Sequence, residues 1–168
     1  TIIKEVPIWV KRRWYGLDFG YSVDFTACSE VGYLDNALYI DEKFYQTNML
    51  SSDIIKALKR LPSRKIWSEC ADQEIHNGGL NIYPVQKFPG SIEAGIDFMK
   101  TKKIYITENS LNAKKEFDNY TYQQDKDGKW LNQPVDDYNH IIDGVRYVCM
   151  MELMGRRAPQ DYSGIFGH

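Results

Sequence analysis

Residues 12–45, RRWYGLDFGYSVDFTACSEVGYLDNALYIDEKFY, decide the fold. Segments 12–19, 24–33 and 37–45 are rich in aromatic and β-branched residues and partly alternate, as half-buried strands do. The connections at Gly20-Tyr21-Ser22 and Leu34-Asp35-Asn36 are short, which demands antiparallel neighbours, so the stretch reads as a three-stranded meander. Beyond it the period changes. Ile54, Ile55, Leu58 and Leu61 recur at helical spacing behind Ser51-Ser52-Asp53, and Pro62 ends the run. A strand at 65–70, a short helix at 72–78, a strand at 81–86, a helix at 91–102 and a strand at 103–107 then alternate. Such alternation after a meander makes a mixed α/β sheet, antiparallel at first and parallel later, with helices on its faces.

A helix over 110–119, a hairpin over 121–133 turning at Asp127-Gly128 and a strong helix from about Asp137 to Met154 complete the core. We expect one domain over 1–168, with its core at about 12–154 and a loose tail at 155–168. The 168 residues are 43% hydrophobic and 14% aromatic, enough for one core and too apolar for disorder. No apolar run is long enough to span a membrane and no signal peptide opens the chain, which points to a cytosolic, non-secreted protein. Cys28, Cys70 and Cys149 are odd in number and sit in apolar runs, the pattern of buried thiols. Without CxxC or HExxH spacing, any metal must be held by carboxylates. Thr1 rather than Met at the start suggests an excised piece of something longer.

Three acids stand where apolar side chains are expected. Asp18 interrupts an aromatic strand, Glu69 ends the run Ile66-Trp67-Ser68, and Asp143 lies between Ile142 and Val145 on the last helix. A carboxylate buried alone is costly, so such groups are paired or bind a cation. Three together favour a hard divalent ion, Mg²⁺ or Mn²⁺, with oxygen ligands. Each also has an ordinary reading: Asp18 as a turn residue, Glu69 as a helix N-terminal acid, Asp143 as a helix-flank residue. Asp72 is better placed than Glu69 to cap the 72–78 helix, and it is the alternative second ligand. His140, three residues before Asp143, shares its helix face. Asp136 and Asp137 suit the first turn of that helix, and Asp137 could orient the His140 ring.

The segments Gly16-Leu17-Asp18-Phe19-Gly20-Tyr21-Ser22-Val23-Asp24, Ser68-Glu69-Cys70-Ala71-Asp72, Lys87-Phe88-Pro89-Gly90-Ser91-Ile92 and Asp137-Tyr138-Asn139-His140-Ile141-Ile142-Asp143-Gly144-Val145-Arg146-Tyr147 resemble the C-terminal nuclease domain of the large terminase subunit of tailed bacteriophages. The resemblance runs from about Tyr15 to Met150 and implies an RNase H-like fold. It implies a divalent-metal-dependent endonuclease that cuts concatemeric double-stranded viral DNA during packaging, with two Mg²⁺ or Mn²⁺ ions held by Asp18, Glu69 and Asp143 and assisted by His140. In two-metal hydrolysis one ion activates the attacking water while the other stabilises the leaving oxygen.

The family also implies, as partners, an ATPase motor domain, a small terminase subunit and a portal protein, and as location the cytoplasm of the infected host. No GxxxxGK[ST] occurs here, so the motor is outside this chain. DNA usually meets a basic face, whereas the formal charge is −2. Lys87 and the hairpin lysines Lys126 and Lys129 are the expected DNA contacts near the acids. The competing readings are a junction resolvase or RNase H-type enzyme on the same fold, and a catalytically silent module that docks DNA or the portal.

Overall fold

The hairpin that closes the meander has a two-residue turn, and both of its residues carry positive φ, 50° at Asp35 and 64° at Asn36. Asp and Asn tolerate that conformation, and the turn it makes matches the twist of paired strands. In a computed structural model residues 1–20, 23–70, 72–121 and 139–154 are described. The strands are β1 (Ile2–Ile3), β2 (Arg12–Asp18), β3 (Phe25–Leu34), β4 (Ala37–Thr47), β5 (Ile66–Ser68), β6 (Ile82–Pro84) and β7 (Lys103–Thr107). The helices are α1 (Ser51–Lys59), α2 (Gln73–Asn77), α3 (Ser91–Lys100), α4 (Leu111–Thr121) and α5 (His140–Val148), which runs on into a π-helical turn at Cys149–Leu153.

Among the described residues the strands form one sheet in the order β1-β7-β4-β3-β2-β5-β6. Strands β2, β3 and β4 pair antiparallel as expected, while β5 and β6 continue beside β2 in parallel. The β/α alternation gives no strand order, and here it divides: β7 crosses to the far side and pairs parallel with β4. Strand β1 was not expected; it pairs with β7 at the edge. Several elements are shorter than their patterns: β5 stops at Ser68, leaving Glu69 beyond it, and α5 begins at His140 rather than near Asp137.

Two apolar clusters lie on opposite faces of the sheet, which is why both faces carry helices. One gathers Tyr15, Leu17, Cys28, Ile54, Leu58 and Ile75 beneath α1 and α2. The other gathers Val31, Ile40, Ile96, Met99, Ile106, Ile142, Val145 and Val148 beneath α3, α4 and α5. Thr121, where the hairpin is expected to begin, ends α4, and the rest of that hairpin, the segment up to residue 138 and the tail after Met154 lie outside the described residues. No helix among those described is long and apolar enough to cross a membrane.

Two local features aim the site. The β3–β4 register slips by one residue between Cys28 and Ser29, opposite Lys43. Side chains alternate faces along a strand, and the slip lets Glu42 and Tyr45, an odd number apart, both reach α4. Helix α5 meanwhile lies directly on β2. A Cβ added to Gly16 would stand 2.1 Å from the Gly144 carbonyl oxygen, so only paired glycines allow helix and strand backbones this close.

Candidate catalytic centre

Because α5 touches β2 at Gly144, residues one helical turn to either side overhang the end of that strand. His140 and Tyr147 both reach Asp18, the last residue of β2. The imidazole Nδ1 of His140 lies 3.0 Å from Asp18 Oδ2, and the Tyr147 hydroxyl donates to Oδ1 over a longer 3.4 Å. Asp18 is only 7% exposed. Burial raises its pKa, opposed by the hydrogen bond and charge of His140, while the neighbouring Glu69 pushes it further up. The His140 pKa is raised in turn, chiefly by that hydrogen bond.

Asp143 sits one turn along from His140 on the same helix. Burial lifts its carboxyl to about 6 despite the Arg146 guanidinium, whose Nη2 donates to Oδ1 at 3.1 Å, and the charge of Asp18 adds to the rise. Glu69 is more open, its side chain 47% exposed, and pairs with Lys87 Nζ at 3.1 Å. Each of the three acids therefore has its own cationic or imidazole partner: Asp18 with His140, Asp143 with Arg146, Glu69 with Lys87. Among the described residues they do not close into a single three-ligand shell. Asp18 is near enough to Glu69 and to Asp143 for like charge to be felt, and a hard cation would relieve that repulsion. The donor set thus fits a divalent ion.

Other candidates are placed differently. Asp72 Oδ1 accepts from the Ile75 backbone N–H at 3.0 Å and caps α2, its ordinary role. Lys126, Lys129 and Asp137 lie outside the described residues. On the far side of its ring, His140 Nε2 stands 3.1 Å from Asp24 Oδ1, an ion-pair distance without hydrogen-bond alignment. No local signal in the sequence gives Asp24 that place, and its neighbour Phe25 packs at a tilt against Tyr45, ring centroids 4.5 Å apart, beside the same ring. With Asn112, Lys115 and Glu116 these residues line a cavity of about 340 Å³ against His140. Cys28 and Cys149 are buried free thiols and Cys70 is partly buried.

The terminase RNase H-like domain family matches residues 18–150, a span that begins at Asp18 and includes Glu69, His140 and Asp143. The chain belongs to this family. The terminase domain is 31% identical over 150 residues to the large terminase subunit of Bacillus phage SPP1, covering 82% of this chain but only 36% of that protein. It superposes on the manganese-bound nuclease domain of the bacteriophage SPP1 large terminase with a TM-score of 0.71 and 26% identity, covering 91% of this chain and 96% of that one. The P22 large terminase nuclease domain shares the fold, with a TM-score of 0.64 at 12% identity over 89% of this chain and 86% of that one. The seven-stranded mixed sheet is thus the RNase H-like architecture of terminase nuclease domains.

Proposed function

We propose that this terminase domain is a divalent-metal-dependent endonuclease that cuts concatemeric double-stranded viral DNA during genome packaging. The observation that carries the reading is the buried Asp18, set beside Asp143 and Glu69 and hydrogen-bonded to a histidine. Asp18, Asp143 and Glu69 would hold the cations, with Asp18, facing both neighbours, as the shared ligand. Bound there, a pair of ions would supply an activated water and charge stabilisation for the departing 3′ oxygen.

The chain's own groups do the rest. Asp18 fixes the His140 ring through Nδ1, and Nε2, which faces Asp24, would hold or move the proton of an attacking water once that carboxylate gives way to it. Arg146 and Lys87 hold Asp143 and Glu69; with a cation on those carboxylates the half-exposed Lys87 would be the positive group facing the phosphodiester backbone, while the buried Arg146 would keep Asp143 in place. In this reading the domain works within a large subunit, with an ATPase motor, a small terminase subunit and a portal protein as partners in the host cytoplasm.

The test is cleavage of supercoiled plasmid, linear duplex, a four-way junction and an RNA·DNA hybrid with Mn²⁺ or Mg²⁺, with calorimetry to count the ions. We expect metal-dependent cutting of duplex DNA, abolished by chelation and by Asp18→Asn. Preference for the junction or the hybrid would replace this substrate. Cutting indifferent to the Asp18→Asn, Glu69→Gln and Asp143→Asn changes would remove the metal site and favour a docking role.

A further inference from the structure

Glu116 of α4 is 1% exposed, among the most deeply buried ionisable side chains described. Its two oxygens accept from consecutive backbone N–H groups, Ile141 at 3.1 Å and Ile142 at 3.0 Å. Those are the donors of the second and third helical positions of α5, the groups that an N-cap side chain ordinarily satisfies. Asn139, the residue in the N-cap position, makes no such bond. The start of the helix carrying His140 and Asp143 is therefore held by a residue of another helix. The same device recurs one step back. Glu42 of β4 accepts from the Ala113 N–H at 2.9 Å and the Asn112 side-chain amide at 2.8 Å, anchoring the start of α4 to the sheet. Two carboxylates in series thus fix α4 to β4 and α5 to α4.

Building on the nuclease reading, we propose that Glu116 is a positioning residue of the catalytic centre: it sets where α5 begins and so holds His140 on Asp18. His140 is the first residue of α5, and Ile141 and Ile142 follow it directly. If Glu116 is removed, two buried N–H groups lose their acceptor, and fraying of the first turn is the cheapest way to rehydrate them. Fraying displaces His140 first. Asp143 and Tyr147 lie further along, where the Gly16–Gly144 contact pins the helix, and should stay in place. The signature is selective loss of the histidine with the carboxylates retained.

The experiment compares Glu116→Ala and Glu116→Gln with wild type and with Leu58→Ala, a core change beneath α1 chosen as a stability control. It measures kcat and KM for plasmid nicking, Mn²⁺ affinity by calorimetry, melting temperature, and the imidazole ¹⁵N signals of His140 by NMR in metal-free protein. We expect kcat to fall roughly 10- to 100-fold in Glu116→Ala, at or below the smallest loss typical of removing a general base, because the histidine is displaced rather than deleted. It should fall less in Glu116→Gln, which keeps one acceptor, while KM and Mn²⁺ affinity change little and the His140 signals move. Leu58→Ala should keep kcat despite a comparable loss of melting temperature. Unchanged kcat and His140 signals in folded Glu116→Ala would overturn the proposal, as would an equal kcat loss in Leu58→Ala. Should Glu116→Ala fail to fold, Glu116→Gln decides on the same readouts. If wild type itself does not cut DNA, the nuclease reading fails, and the His140 signals still decide the role of Glu116.

Discussion

The β2–β3 ladder holds two buried carboxylates, Glu30 at its middle opposite Tyr15 and Asp18 at its end, and the two are treated in opposite ways. Glu30, 2% exposed, receives Arg13 on one oxygen and Arg64 on the other, each at 3.0 Å. Arg13 is itself tied to the Val10 and Pro7 carbonyls, clamping the segment before β2 to the sheet. At the end of β2 Asp18 receives a histidine and a distant tyrosine hydroxyl, with Asp143 and Glu69 adding like charge. The Glu30 site is oversupplied with positive charge and closed. The Asp18 site is short of it, which supports the cation site proposed above. Burial of a carboxylate alone therefore does not mark function; what marks it is the deficit of compensating charge around it.

The sharpest way to break this comparison is to neutralise each site. At the deficient site, Asp18→Asn and Asp143→Asn should lower plasmid nicking by about three orders of magnitude, the scale of losing several kcal/mol of cation binding and charge stabilisation. The metal-free melting temperature should stay level or rise, because each change removes a buried charge at nearly constant volume. A large drop in that temperature would mean the acids serve the fold. At the closed site, Glu30→Gln should do the reverse. Removing one partner of a buried ion pair costs about 3–5 kcal/mol, or on the order of 10 °C for a domain of this size. Cutting by the molecules still folded should persist. Calorimetry beside nicking at a permissive temperature separates the two patterns.

Gly16→Ala tests how firmly the Asp18 site depends on the contact of α5 with β2. The new methyl would meet the Gly144 carbonyl, and overpacking of this kind costs about 1–3 kcal/mol. We expect a smaller loss of melting temperature than for Glu30→Gln, with a roughly tenfold loss of nicking because a misplacement of α5 of even about 1 Å is costly. Full activity would show that α5 can lift off β2 without disturbing His140 on Asp18.

What the sequence disclosed follows from range. The meander was legible because its turn chemistry and alternation are local, and so were the acids Asp18 and Asp143, each an acid among apolar neighbours. His140 could be tied to Asp143 by helical spacing. Glu116 could not be seen: in Lys114-Lys115-Glu116-Phe117-Asp118 it reads as one charge on a solvated helix face, and its partners lie 25 and 26 residues away. Asp24 and Tyr147 stand within legible motifs but carry no local sign of a role, since only the crossing of α5 over β2 brings Tyr147 to Asp18 and His140 to Asp24. The separation of β7 from β6 was hidden for the same reason, because alternation of strands and helices does not state on which side of the sheet each crossover lands.

The smallest expected effect concerns pH and is read as a difference between two proteins. In the folded, metal-free domain burial raises Asp143 from 3.8 to about 6 and Glu116 from 4.5 to about 7. A folded-state pKa above the unfolded one means the folded form binds the proton more tightly. The stability it contributes is complete below the unfolded value and disappears as pH rises through the folded one. For these two groups the window runs from about pH 4 to about pH 7. Most carboxylates act with the opposite sign, so the total curve hides this contribution, and Asp143→Asn isolates its share. Chelated wild type should lose about 1–3 kcal/mol relative to Asp143→Asn across that window, since each pKa unit that burial adds is worth about 1.36 kcal/mol. Mn²⁺ should reverse the loss, and more at about pH 7.5 than at about pH 5, because only the ionised acid is a good ligand. Parallel pH curves for the two proteins would mean that the charge of Asp143 is fully compensated in the fold, and the contrast between the two buried sites would vanish.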